Sequence, residues 1–172
     1  HNCSIGGPLC NPANTRRAAV GVSDPNMARR MAGVLQARGA EYAFVFTGED
    51  GLDELSISGK STIHRIQGGE ITSAEFRPAD FHVPAAPIEA VQGGDAAENE
   101  RITRSVLEGA KGPQRDIVVV NAAPAVVVAG LAEGFADGIA KAEAAIDSGG
   151  ALAVLERAIA FGEEAGPSVN NR

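Results

Sequence analysis

The chain has 172 residues, 44% apolar and 22% charged, within the range of an ordinary soluble domain with room for a sizeable core. Its net charge of −7, with no run of Lys or Arg, argues against a nucleic-acid partner, and no apolar stretch reaches the length of a membrane span. Aromatic residues are only 4% and Trp is absent, so the core must be built from Ala, Val, Ile and Leu, while 21 glycines announce several tight loops.

The N-terminus lacks the charged, apolar and small-residue segments of a signal peptide. Cys3 and Cys10, with only the terminal His1 nearby as a further ligand, make a poor zinc site and read as free thiols in a reducing cytoplasm. Residues 3–14 form a loop marked by Gly-Gly-Pro and Asn-Pro. Ala18 to Val22 reads as a strand. Asp24 then caps a helix with Pro25 at its first position; Met27, Met31, Val34 and Leu35 recur at helical spacing opposite Arg29, Arg30 and Gln36, and Gly39 ends it. A strand at 42–47 follows, giving a β-α-β unit with parallel strands and a right-handed crossover.

Residues 61–66 and 71–76 alternate in polarity around Gly68-Gly69, a hairpin with a slightly long turn. His64 falls on this hairpin as a surface strand residue, with no Ser, Cys or Asp placed beside it by sequence for catalysis. Residues 77–92, with three prolines, read as an extended surface connection. A helix follows from Asp95 to about Leu107, with Glu98 three residues after the cap; its Gly93-Gly94 lead-in either caps or holds an anion, capping being the default. The apolar run from Asp116 to Asn121 predicts a central strand buried on both faces, and Ala122 to Leu131 a buried helix with Pro124 in its first turn. Two amphipathic helices, Phe135 to Ile146 and Ala151 to Phe161, close the chain. The expected organisation is an α/β domain portion over residues 1–165 with a frayed tail at 166–172. Its fold class is a mostly parallel central sheet flanked by helices, with a β-hairpin.

One stretch stands out chemically. Asp50-Gly51-Leu52-Asp53-Glu54 follows the apolar run Ala43 to Gly48, and strand C-terminal ends are where open α/β sheets place ligand chemistry. The adjacent carboxylates Asp53 and Glu54 are hard oxygen ligands of the kind magnesium takes, one or two at a time, beside substrate phosphates. Spacing alone leaves an acidic capped loop as an equal reading.

Taken in order, several motifs carry a resemblance. They are Gly7-Pro8-Leu9-Cys10-Asn11-Pro12, Gly21-Val22, Gly48 to Glu54, Ser56 with Gly59, Asp80-Phe81, Gly93-Gly94-Asp95-Ala96 with Glu98-Asn99, Gly112-Pro113 with Arg115-Asp116, Asn121-Ala122-Ala123, and Ile146-Asp147-Ser148-Gly149. The sequence resembles the C-terminal α/β portion of the anthranilate phosphoribosyltransferase family, whose fold is shared with nucleoside phosphorylases. The resemblance implies transfer of phosphoribose from phosphoribosyl pyrophosphate (PRPP) to anthranilate, with pyrophosphate released, in tryptophan biosynthesis. It implies Mg2+ held by Asp53 and Glu54, Asn11 toward the substrate cleft or domain hinge, a cytoplasmic location and a homodimer at full length. The family's Gly-Thr-Gly-Gly-Asp phosphate loop, its Ser/Thr cluster, its anthranilate-contacting Arg and its N-terminal helical half have no counterpart here. The chain therefore reads as the second half of such an enzyme, inactive alone. A related nucleoside phosphorylase, a paralogous transferase, or a non-catalytic isolated domain are the alternatives.

Two departures accompany the resemblance. Residues 1–6 differ from the family pattern, and His82 stands where the family tends to have Gly after Asp-Phe. Either the backbone at His82 needs no positive φ, or it carries strain.

Overall fold

The computed structural model describes residues 16–151. The loop at 3–14 with Cys3, Cys10 and Asn11, the helix expected beyond Ala151, and the tail at 166–172 lie outside the described residues.

A four-stranded sheet organises the chain, with strands in sequence order: β1 (Arg17–Gly21), β2 (Tyr42–Gly48), β3 (Ser61–Gln67) and β4 (Glu70–Phe76). β1 and β2 are parallel, joined by helix α1 (Pro25–Ala37) as the β-α-β pattern predicts. The β2–β3 and β3–β4 pairings are antiparallel, so the sheet is mixed and the expectation of a mostly parallel sheet is corrected. The reason is the hairpin. Gln67 pairs with Glu70, leaving Gly68 (φ 60°) and Gly69 (φ 81°) as a two-residue turn with both central residues left-handed, shorter than expected. That geometry matches the twist of the flanking strands and favours Gly at both sites.

β2 is buried along almost its whole length because the sheet is covered on both faces. Phe44 and Phe46 point into one core, Ala43 and Val45 into the other, as the two-residue alternation of a strand requires. The second core is closed by α1. Asp24 caps α1 by accepting from the Asn26 amide at 2.8 Å, and Pro25 occupies the first turn. Its buried line is Ala28, Ala32 and Leu35, the two alanines letting the helix approach the sheet, while Met27 and Val34 are each 51% exposed. The apolar face expected from Met27, Met31, Val34 and Leu35 is thus rotated, with only Leu35 fully buried and Met31 partly so.

His64 also departs from expectation. It is buried rather than on the surface, and its Nδ1 lies 2.6 Å from the Ser73 hydroxyl of β4. His64 shares its face of the sheet with Ile66 and its β2 partner Val45, and α1 packs over that face. Burial, then the charge of Arg29, push its pKa below the ordinary value.

The first core is covered by α2 (Ala96–Leu107), α3 (Pro113–Val128) and α4 (Phe135–Asp147). The strand expected at 116–121 is instead the first half of α3, and Pro124 lies inside that helix rather than in its first turn. Gly112 (φ 124°) and Pro113 start it. A helix packed on most of its circumference tolerates Val residues, whose helix-propensity deficit of about 0.5 kcal/mol is small beside the burial of a side chain. Residues 77–92 are not purely surface either. Two 3₁₀ turns, Pro78–Phe81 and Ile88–Ala90, replace an extended run, and Phe81 is buried with its ring stacked 5.5 Å from Phe76. His82 follows in the left-handed region (φ 58°, ψ 31°), settling its open reading in favour of a positive φ.

Candidate functional site

The acidic stretch occupies the loop between β2 and β3, at the C-terminal end of β2. Its first two carboxylates hold the loop together. Glu49 extends the ladder: its amide donates to the Lys60 carbonyl at 2.9 Å, and its Oε2 accepts from the Lys60 amide at 2.8 Å. Asp50 Oδ1 accepts from the Leu52 amide at 3.2 Å, and its Oδ2 from the Ser58 hydroxyl at 3.1 Å. Buried Ser56 turns the far side by accepting from the Ser58 and Gly59 amides, both at 3.0 Å, which explains the Ser56–Gly59 pair in the sequence.

Asp53 and Glu54 stand in the middle of this loop, half-buried. Their backbone is pressed against the strand ends. A Cβ at Gly21 would lie 1.9 Å from the Asp53 carbonyl oxygen, and one at Gly48 would lie 2.8 Å from that of Glu54. Both glycines are required by close approach. From the opposite side comes Asn121 of α3. Its Oδ1 accepts from the Leu55 amide at 2.6 Å, and its Nδ2 donates to the Leu55 carbonyl at 3.0 Å and to the Ile117 carbonyl at 3.0 Å. Leu55 itself is fully buried beneath the carboxylates.

The electrostatics favour a cation at this point. Burial, then the neighbouring Asp53 and Asp50 charges, push the Glu54 carboxyl above its ordinary range. A bound divalent ion would relieve that repulsion. Two carboxylates also suit magnesium, whose remaining positions are filled by water and substrate phosphates. Among the described residues no group of three or more His, Cys, Asp or Glu converges as a self-sufficient metal cage. A cavity of about 440 Å³ opens elsewhere, among Tyr42, Phe44, Phe76 and Phe135, and none of its lining residues belongs to this loop.

The second stretch singled out by sequence is a cap. Asp95 Oδ1 accepts from the Glu98 amide at 2.8 Å, and the Asn99 amide folds back to bond both the N–H and the C=O of Gly94, at 3.0 and 3.3 Å. A Cβ at Gly93 would sit 1.9 Å from Asn99 Oδ1. Gly93 therefore makes room for Asn99, supporting the capping reading. Glu98 directs its carboxylate to Arg101, not back to the cap.

Sequence reasoning assigned no role to Asn121, Arg115 or Gly21. Arg115, 3% exposed, donates to both carboxylate oxygens of Asp147. Asn121 carried a signal: it is the one polar residue between Asp116 and Leu131. Its partner, 66 residues away in the chain, did not.

A mixed sheet with helices on both faces, with two adjacent carboxylates on a tightly packed backbone at a strand end, defines an α/β domain. The chain belongs to the glycosyl transferase family, a/b domain, whose pattern matches residues 3–152. It is 44% identical over 160 residues to the anthranilate phosphoribosyltransferase of Desulfatibacillum aliphaticivorans, covering 93% of this chain and 47% of the relative. It is 46% identical over 161 residues to that of Arthrobacter sp. (strain FB24), covering 90% and 46%. The crystal structure of the Thermus thermophilus anthranilate phosphoribosyltransferase superposes with a TM-score of 0.77 at 35% identity, covering 90% of this chain and 46% of that one. The Saccharomyces cerevisiae enzyme in complex with PRPP and Mg gives a TM-score of 0.71 at 27% identity, covering 81% and 40%. The chain spans about half the length of the curated relatives it matches. Among the described residues no helix is long and apolar enough to cross a membrane.

Proposed function

We propose that this chain is the carboxylate-bearing half of an enzyme that transfers phosphoribose from PRPP to the amine of anthranilate with release of pyrophosphate. The observation that carries the reading is the Asp53–Glu54 pair, pinned at the end of β2, with burial and neighbouring charge raising the Glu54 carboxyl. Relatives named for this reaction, one of them in complex with PRPP and Mg, supply the substrate class. Asp53 and Glu54 would hold Mg2+ on the diphosphate side of the substrate. When bound, the ion neutralises charge on the departing diphosphate. The chain's own task is orientation: Gly21, Gly48 and Asn121 hold the two carboxylates on a fixed backbone. The phosphate loop and the anthranilate contacts would come from a segment outside this chain. A homodimeric full-length enzyme, a cytoplasmic location and a cleft-facing Asn11 belong to the same proposal.

By itself the chain is expected to give no turnover of anthranilate with PRPP and magnesium. Mixed with the N-terminal half of the Thermus relative, it is expected to consume anthranilate, and Asp53→Asn or Glu54→Gln to abolish that consumption. Turnover indifferent to both substitutions would overturn the assignment.

A further inference from the structure

We infer that Asn121 is the positioning residue for the Asp53 and Glu54 carboxylates, gripping from α3 the backbone on which they stand. The inference rests on the proposed metal reading of those two side chains and adds the element that sets their place.

An Asn that served only its own helix would bond its own helix. Asn121 does this with one bond, to the Ile117 carbonyl one turn back. Its other two bonds cross to the loop and take both backbone groups of a single residue, Leu55, which directly follows Glu54. Two bonds to one residue fix its rotation as well as its position, so the peptide joining Glu54 to Leu55 cannot swing. The third bond locks the amide's own orientation, and both amide hydrogens are used.

The opposite side is closed by the missing side chains of Gly21 and Gly48, whose Cα atoms stand directly against the Asp53 and Glu54 carbonyls. The dipeptide is therefore held between two strand ends and one helix. Carboxylates that share an ion must keep their geometry to within about 0.5 Å, and second-layer groups that hold ligands affect affinity almost as strongly as the ligands themselves. A polar amide within the apolar stretch from Ile117 to Val128, 4% exposed, is costly unless bonded. At Asn121 two of the three bonds go to the loop that carries Asp53 and Glu54.

The test uses the whole 172-residue chain with Mn2+ as the probe, its binding followed by electron paramagnetic resonance and by broadening of loop NMR signals. Asn121→Ala and the near-isosteric Asn121→Asp are expected to bind Mn2+ roughly 10- to 100-fold more weakly than the wild type. Gly21→Ala, whose methyl would displace the Asp53 carbonyl while leaving Asn121 intact, is expected to show the same loss. Val119→Ala, in the same helix and fully buried but remote from the bonds to Leu55, is the control for simple destabilisation, with affinity unchanged. Wild-type affinity in a folded Asn121→Asp protein overturns the inference. Absence of broadening at Asp53 and Glu54 in the wild type instead sinks the metal reading on which it rests, and Asp53→Asn separates the two by reporting whether that ion is held at this loop at all.

Discussion

Arg115, buried in the first turn of α3, donates to both carboxylate oxygens of Asp147, the last residue of α4, at 2.8 and 3.1 Å. The fork ties the start of one helix to the end of the next and leaves the guanidinium almost without solvent while Asp147 stays half-exposed. Arg115 holds the Asp147 carboxyl below its ordinary range. The stabilisation this lowered carboxyl represents is therefore complete above the ordinary carboxylate pKa and is lost as pH falls through the folded value. Arg115→Lys, which keeps the charge but not the two-pronged geometry, is expected to lower the urea midpoint almost as far as Arg115→Ala does. Equal midpoints for Arg115→Lys and wild type would contradict this.

His64 gives the fold a pH dependence of its own. Its pKa is lowered by burial and by Arg29, so the unfolded chain takes up a proton more readily than the folded one. Stability is full above the unfolded value near 6.5 and declines as pH falls through the folded value. His64→Gln should flatten the thermal melting temperature between about pH 7.5 and pH 5.5. Ser73→Ala, which leaves Nδ1 without its 2.6 Å partner, should cost about 1 kcal/mol at neutral pH in chemical denaturation.

Glu54 works in the opposite sense. A carboxyl raised by burial and by Asp53 and Asp50 contributes most below the ordinary value, and that contribution is lost as pH rises through the folded pKa. At neutral pH the ionised group opposes folding, so Glu54→Gln is expected to melt higher than the wild type without divalent ions. Magnesium at ten times its Kd would stabilise the wild type by about 1.4 kcal/mol and Glu54→Gln not at all. Differential scanning calorimetry with and without magnesium reads both effects.

His82 is the one non-glycine residue with positive φ among the described residues. Relief of left-handed strain by His82→Gly outweighs the extra chain entropy of glycine, and a net gain of about 0.5 kcal/mol is expected by urea unfolding. His82→Val, β-branched, should lose stability instead.

Much of this architecture is readable from residue order because its signals are local. The Asp24-Pro25 cap, the glycine pair of the hairpin and the apolar run of β2 each act within a few residues. The Asp116 to Asn121 run defeated the same reasoning because a short stretch of Ile and Val is equally apolar on every face, whether strand or helix. Only packing against the first core and α4 decides it. The same holds at the site. Asp53 and Glu54 announce themselves as adjacent carboxylates after a buried strand, whereas Asn121 acts on backbone groups 66 residues away and leaves no pattern at that distance. His64 illustrates the limit of alternation, which assigns a residue to a face of the sheet but does not say that the face is covered.

The order of the strands bears on how the molecule assembles. Each strand pairs with its neighbour in the chain, and the β3–β4 hairpin, closed by a two-residue turn, can form within microseconds. The bridge from Asn121 to Leu55 spans far more chain and waits for α3 to dock. In pulse-labelled refolding the Arg65 amide, which faces β4 in the hairpin, is therefore expected to be protected before that of Leu55, the acidic loop acquiring its final shape among the last events of folding.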